Sequence, residues 1–417
     1  MPTSDSKNDK QANSQVNPGS PSALAANDPL QMTFLAIFRI TRSIAAGLIA
    51  IAFPYLVLTT RHESAASLGF IYASASLATA VFGFFIGHLA DTWGRRKALI
   101  IAGLMLPLSS AIVIFSESLP ALFIASIVGG YSATGSLMGG GVGGAAQPIQ
   151  SALIADLTTG ERRTFFFSIF SFMSGVFASL GALLVRAVTV QEAFIVATLI
   201  SAAGLPLMFV LKLVETRGSR GHLPSRIVIG KFTLTGALNG LTQGLVTPFL
   251  IPFFVIVYHL PKAQMSVYGF ASGMLASFSL LTAPRFERRL GFVKSISFTR
   301  GLGAGLLVLM PLLRYFPFAM LVYLLTPALR VAAQPTQQTA LTDMVNPEER
   351  GRALGVNQVA RLTCSSGAVA FTGAMFNAED IGIPFYLYGA ITALNIYFYF
   401  RFFGATVTRP PAPELEP

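Results

Sequence analysis

Five arginines stand inside long apolar runs of this chain: Arg39, Arg42, Arg300, Arg330 and Arg361. A charged residue at the centre of a membrane-inserted helix costs about 2.5–3.5 kcal/mol, so each asks for a function. What a guanidinium offers there is binding of an anion. Arg39 and Arg42 lie near the start of their run, where they either face a solute pathway or snorkel to the headgroups. Arg330 lies deep in its run, whereas Arg300 and Arg361 read as structural, Arg361 by snorkelling or by capping the Asp343 loop. The apolar runs contain no Asp or Glu. A proton relay or a cation site built on an embedded carboxylate therefore has no candidate.

Polar pairs add to the candidates. Gln147 and Gln150, and likewise Gln334 and Gln337, are spaced i, i+3 and share one helix face; Asn239 and Gln243 are spaced i, i+4. Either they line a cavity or they bond between helices, which in membranes is worth about 0.6 kcal/mol per bond. The four histidines (His62, His88, His222, His259) show no ligand spacing, and the lone Cys364 excludes an internal disulfide and a cysteine metal cluster. No metal or cofactor is expected. No Ser/His/Asp set or carboxylate pair lies at one depth, and no phosphate-binding G-x-x-x-x-G-K-[S/T] loop appears, so no catalytic residues are assigned and the chain does not read as an enzyme.

The elements that must hold these residues follow from composition. Of 417 residues 53% are apolar and only 11% charged, and mean hydropathy is +0.64. A soluble domain carries about 25% charge, so lipid is the expected solvent. A spanning helix needs about 20 apolar residues. Twelve stretches qualify: Phe34–Leu58, Ala65–Leu89, Ala98–Ser116, Ser118–Ala155, Thr164–Val185, Ala193–Leu211, Phe232–His259, Ala263–Pro284, Ser295–Leu313, Tyr315–Thr342, Ala353–Asn377 and Ile381–Phe400. The expected fold is an all-α integral membrane protein of twelve transmembrane helices.

Loops after even-numbered spans carry 16 Lys and Arg, and loops after odd-numbered spans carry 4. The positive-inside rule then puts both termini in the cytoplasm of a plasma or inner-membrane protein. The same bias accounts for most of the net charge of +11 without a nucleic-acid partner. The chain also repeats. Gln147-Pro148-Ile149-Gln150, Asp156, Glu161 and Arg163 recur as Gln334-Pro335-Thr336-Gln337, Asp343, Glu348 and Arg350, each offset by 187. Two pseudo-symmetric six-helix bundles are expected, with solute held between them. The division is a disordered cytoplasmic tail at 1–30, bundles at 31–214 and 231–405, a cytoplasmic linker at 215–230 and a tail at 406–417. From Gly94 to Gln147 is 53 residues, but from Gly291 to Gln334 only 43. The excess falls in the glycine-dense stretch 135–144, either a broken helix lining a cavity or tight packing through small residues.

Between spans two and three, Gly87-His88-Leu89-Ala90-Asp91-Thr92-Trp93-Gly94-Arg95-Arg96-Lys97 resembles the G-x-L-A-D-x-x-G-R-R-K loop of the major facilitator superfamily. A weaker echo, Arg285-Phe286-Glu287-Arg288-Arg289-Leu290-Gly291, follows span eight. The resemblance covers roughly residues 31–405. It implies a gate of Gly87, Asp91, Gly94, Arg95 and Arg96 that latches the halves on the cytoplasmic side. It also implies that spans one, four, seven and ten line the cavity, placing Arg39, Arg42 and Arg330 along it. Two patterns of the family's proton-coupled drug exporters are missing. No Arg occurs in Ala125-Ser126-Ile127-Val128-Gly129-Gly130, and Gly175 and Gly181 stand without G-P-x-x-G-G.

The expected function is secondary transport of a small anionic or amphiphilic solute by alternating access, by a monomer in the bilayer, with H+ as a candidate coupling ion. Multidrug efflux is the alternative, and a non-transporting membrane sensor on the same fold the remote one. Replacing Arg42 with alanine is expected to abolish transport while sparing the fold.

Overall fold

The computed structural model describes residues 29–131, 161–210, 225–313, 315–345 and 350–404. The glycine-dense stretch, Gln147, Gln150, Asp156, residues 1–28 of the amino-terminal tail, the carboxy-terminal tail and most of the linker lie outside the described residues, and Pro29 and Leu30, read from sequence as tail, already belong to the first helix. Helices occupy all twelve expected positions, and no strand occurs among the described residues. They are α1 (Pro29–Tyr55), α2 (Ala65–Trp93), α3 (Arg95–Phe115), α4 (Leu119–Gly129), α5 (Glu161–Leu184) and α6 (Val190–Ala203, then Pro206–Val210). The second set is α7 (Arg226–Val246), α8 (Lys262–Leu290), α9 (Phe292–Leu309), α10 (Phe316–Asp343), α11 (Arg350–Asn377) and α12 (Gly382–Phe403). Among the described residues nine are long and apolar enough to cross a membrane.

Two helices change pitch. α1 holds Pro54 and loosens into a π turn at Leu56–Thr60. α7 breaks into a 3-10 turn at Thr247–Phe249, around Pro248, before resuming as Leu250–Tyr258. Proline removes one ladder bond and crowds the preceding turn, which accounts for both. α7 also starts at Arg226, inside the stretch read from sequence as linker.

Local chemistry sets the turns. Gly94 (φ 96°) separates α2 from α3 and Gly291 (φ 75°) separates α8 from α9; both angles favour glycine. Thr189 and Glu192 form a reciprocal capping box that starts α6, at 3.2 and 2.7 Å.

Gly94 and Gly291 differ by 197 in number, which is the repeat offset ahead of the ten-residue excess. Packing obeys it. A Cβ on Gly47 of α1 would strike the carbonyl of Ala178 in α5, and one on Gly244 of α7 would strike the carbonyl of Ser365 in α11. Gly47 and Gly244 are 197 apart, and Ala178 and Ser365 are 187 apart. The α1–α5 contact thus recurs as α7–α11. Between the first and last six helices the most extensive pairs are α2 with α11 and α5 with α8, which the repeat also exchanges, and α1 touches α8 and the Leu250–Tyr258 segment of α7.

The buried apolar side chains divide unevenly. One cluster draws on both sets of helices, from Ile51, Phe53 and Leu56 to Phe249, Phe253, Met265 and Phe376. It lies at the end away from the basic loops. Toward the basic loops there are separate clusters, Leu35, Phe38, Leu99 and Phe170 in the first set and Phe232, Phe292, Ile296 and Tyr399 in the second. Among the described residues the halves therefore share a core at one end and keep their own at the other.

Candidate functional site

Contacts between the halves at the shared end are close. The Tyr55 hydroxyl donates to the Leu260 carbonyl at 2.6 Å, and Ser366 Oγ donates to the Ala73 carbonyl at 2.8 Å. Lys262 donates to the Val188 carbonyl. A Cβ on Gly373 would lie 2.7 Å from the Gly69 Cα, so these two glycines let α2 and α11 meet backbone to backbone. Tyr55→Phe removes a buried hydrogen bond worth about 0.5–1.5 kcal/mol. It is expected to increase opening at this end up to about tenfold, read as faster thiol labelling of Leu260→Cys in a Cys364→Ser background. An unchanged labelling rate would refute the closure role.

The five arginines separate into two kinds. In the first half, Arg42 is buried, and its Nη1 donates to the carbonyls of Ala102 (3.3 Å) and Gly103 (3.2 Å) in α3, with its guanidinium 5.5 Å from the Phe38 ring. Arg39 donates from Nε to Ser174 Oγ of α5 and stands 6.0 Å from the Phe170 ring. These side chains bind α1 to its neighbours. The expectation that removing Arg42 spares the fold changes accordingly: its loss would unclamp α1 from α3.

In the second half, three arginines from three helices converge. Arg300 of α9 donates through Nη2 to Gln337 Oε1 of α10 at 2.7 Å and faces the Tyr399 ring at 5.4 Å. Arg330 of α10 donates to Thr247 Oγ1, at the break in α7. Arg361 of α11 donates through Nη2 to Gln358 Oε1 at 2.6 Å. Arg300 and Arg330 lie within electrostatic reach of Arg361, and Tyr388 within reach of Arg300 and Arg330. Sequence reasoning singled out Arg330 but set Arg300 and Arg361 aside. The offset of 197 held the missing signal, because it equates Gly103 with Arg300 and Arg42 with Asn239. The α1–α3 clamp position thus carries its arginine on the other helix in the second half. Ser174 and Arg361 are exchanged in the same way under the offset of 187.

The remaining candidates are scattered. Asn239 and Gln243 are buried in α7, and Gln334 is half-buried. In the gate loop Gly94 makes the turn, and Arg96 donates to the Phe209 carbonyl, within the first half. The side chains of Asp91 and Arg95 lie outside the described residues, as does any side-chain detail at Gly87. Trp93 beside them is 62% exposed. No group of three or more metal-ligating side chains occurs among the described residues.

The family model of the Major Facilitator Superfamily matches residues 35–371. The chain belongs to the Major Facilitator Superfamily. It is a membrane transporter of small solutes, and its two sets of six helices are the halves that such transporters rock around a central site. Curated relatives include the class C tetracycline resistance protein of Escherichia coli, 26% identical over 54% of this chain and 56% of that protein. Another is the multidrug resistance protein MdtG of Proteus mirabilis, 25% identical over 79% of this chain and 84% of that protein. Among solved structures, the human organic anion transporter MFSD10 superimposes with a TM-score of 0.69 at 15% identity, covering 89% of this chain and all of that one. A mutant form of the nucleoside transporter NupG does so with a TM-score of 0.70 at 12% identity, covering 89% and 99%. These structural likenesses carry the fold alone.

Proposed function

We propose that this superfamily member carries a small anionic or amphiphilic solute across the plasma membrane by alternating access, with its basic loops on the cytoplasmic side. The carrying observation is the divided core: one apolar cluster bridges the halves at the end away from the basic loops, and separate clusters fill each half near them. That is the arrangement of a carrier shut on one side and free to part on the other. Buried arginines without a membrane-embedded carboxylate favour an anion over a cation. A coupling ion such as H+ supplies the drive in this reading.

A second reading, multidrug efflux of hydrophobic compounds, is favoured by the names of the two curated relatives and, for a cationic compound, by one cavity. Phe253, Tyr258 and Tyr386 line it together with Glu379, at the edge of the shared core. Aromatic faces beside a carboxylate suit an amphiphilic cation.

Everted membrane vesicles separate the two. Overproduction of the chain is expected to raise saturable movement of the dianion fluorescein, driven by an imposed pH step, and to leave ethidium unaffected. Ethidium movement without fluorescein movement would transfer the assignment to the second reading.

A further inference from the structure

We propose that Arg300, Arg330 and Arg361 form a binding site for a dianionic group of the solute, built entirely within the second half. The proposal rests on the anionic reading above and names its site.

Gly303 of α9 packs on Leu329 of α10, which sets Arg300 and Arg330 at one depth, and Arg361 of α11 lies against Gly240 of α7, the helix whose Thr247 accepts from Arg330. The acids nearest in sequence to Arg330 and Arg361 are far off. Arg330 precedes Asp343 by 13 residues and Arg361 follows Glu349 by 12, about 18–20 Å along a helix. Glu379 and Asp380 lie past the other end of α11. No carboxylate in the sequence from Gly291 to Gly404 sits at the depth of the cluster. Burying like charges together without a counter-charge is costly, because each desolvated ion needs a partner to offset its lost hydration. The chain's own partners (Gln337, Gln358 and Thr247) accept hydrogen bonds but neutralise nothing.

Each of these arginines also keeps an unused donor. Arg300 Nη1, Arg330 Nε and Arg361 Nε are buried and have no hydrogen-bond partner in the structure. Arg300 is only 6% exposed. A buried unmet donor on a charged group is rare and expensive. Here one such atom occurs on each of the three arginines. Guanidinium forks suit the paired oxygens of carboxylate, phosphate or sulfonate groups. Three cations ask for more than one negative charge, hence a dianion.

The two halves differ at these positions. Under the repeat, Arg300 corresponds to Gly103 and Arg361 to Ser174. The first half therefore has no equivalent cluster, and its arginines Arg39 and Arg42 are spent on Ser174 and on α3 carbonyls. One site per molecule is expected.

The test uses the full chain, purified in detergent and delipidated, with phthalate as the soluble dianion and benzoate as the monoanion at matched ionic strength. Phthalate is expected to raise the thermal midpoint saturably, more than benzoate does. It is also expected to slow phenylglyoxal modification of Arg330 and Arg361, located by mass spectrometry. Arg361→Gln should weaken the phthalate response by about 10- to 100-fold. Arg361→Lys, which keeps the charge and loses the fork, should fold and show a smaller loss. Equal responses to phthalate and benzoate, or an unaltered phthalate response in both variants, would overturn the proposal. So would protection by phosphatidylglycerol alone, since the cluster would then hold a lipid headgroup. Distances between spin labels at Arg186 and Gln264 report alternation independently. Alternation without phthalate protection removes the site and spares the transporter, whereas phthalate binding without alternation or flux spares the site and removes the transporter.

Discussion

Gly373→Leu is expected to pry open the shared end of the bundle and to reverse which side of the carrier is closed. A Cβ at this position would stand 2.7 Å from the Gly69 Cα and 2.9 Å from the Ala65 carbonyl oxygen. Both obstacles are backbone of α2, so no rotamer change can make room. Overpacking a tight contact costs about 1–3 kcal/mol, and a bias of that size shifts a two-state ratio by about 5- to 150-fold. The strain acts only where α2 and α11 touch, so it falls on the closed arrangement and is relieved by parting the halves. In a Cys364→Ser background, spin labels on the exposed Arg186 and Gln264 should show their main distance population lengthen. Gly69→Leu should act in the same direction, because its Cβ would lie 2.7 Å from the Gly373 Cα. If both variants keep the parent distances, α2–α11 contact does not hold this end shut.

Gly47→Leu is expected to prevent the first half from assembling at all. Its Cβ would land on the Ala178 carbonyl, 2.7 Å from that carbon and 2.9 Å from the Ala182 nitrogen. Gly181 of α5 presses back on α1, where an added Cβ would lie 2.9 Å from the Ile44 carbonyl carbon. Each helix thus uses a glycine to approach the other's backbone, as membrane helices do where small residues replace side-chain packing. This contact lies inside one half and no rocking motion relieves it, so the cost appears in folding. A leucine here should meet or exceed the upper end of about 1–3 kcal/mol. Size-exclusion profiles of a fluorescent fusion should show aggregate in place of the monodisperse peak. Gly244→Leu, at the repeat-related position, should do the same through Ser365. Gly305→Leu is the control, since a Cβ there meets nothing within 4 Å, and it should behave as the parent. A monodisperse, heat-stable Gly47→Leu protein would show that α1 and α5 do not pack as described.

Helix positions were legible because hydrocarbon demands long apolar runs and leaves little choice of structure for them. Helix ends were less so. α2 runs past Leu89 to Trp93, and α8 past Pro284 to Leu290. Backbone hydrogen bonding continues into the headgroup region after the apolar pattern has stopped. The breaks in α1 and α7 had visible signals in Pro54, Pro248 and Pro252, but proline alone does not say whether a helix kinks or ends. For the arginines, sequence revealed which were embedded and not what they touch. Arg42 and Arg330 look alike as isolated charges in apolar runs. Only packing shows that one clamps two α3 carbonyls while the other meets Thr247 beside Arg300 and Arg361. Partner choice depends on helix rotation and neighbours, neither of which hydropathy records.

The unneutralised arginines of the second half have a consequence for energy supply. With the shared end shut, membrane voltage falls mainly across that plug, and the cluster sits near the potential of the basic-loop side. After rocking, the voltage falls across the basic end, so the field sweeps over charges that have scarcely moved. Each elementary charge swept in this way couples to about 2.3 kcal/mol per 100 mV. With the basic loops facing a negative cytoplasm, a resting cell would hold the empty carrier in the arrangement seen here. A bound dianion cancels most of that hold, making the loaded carrier electrically freer to turn than the empty one.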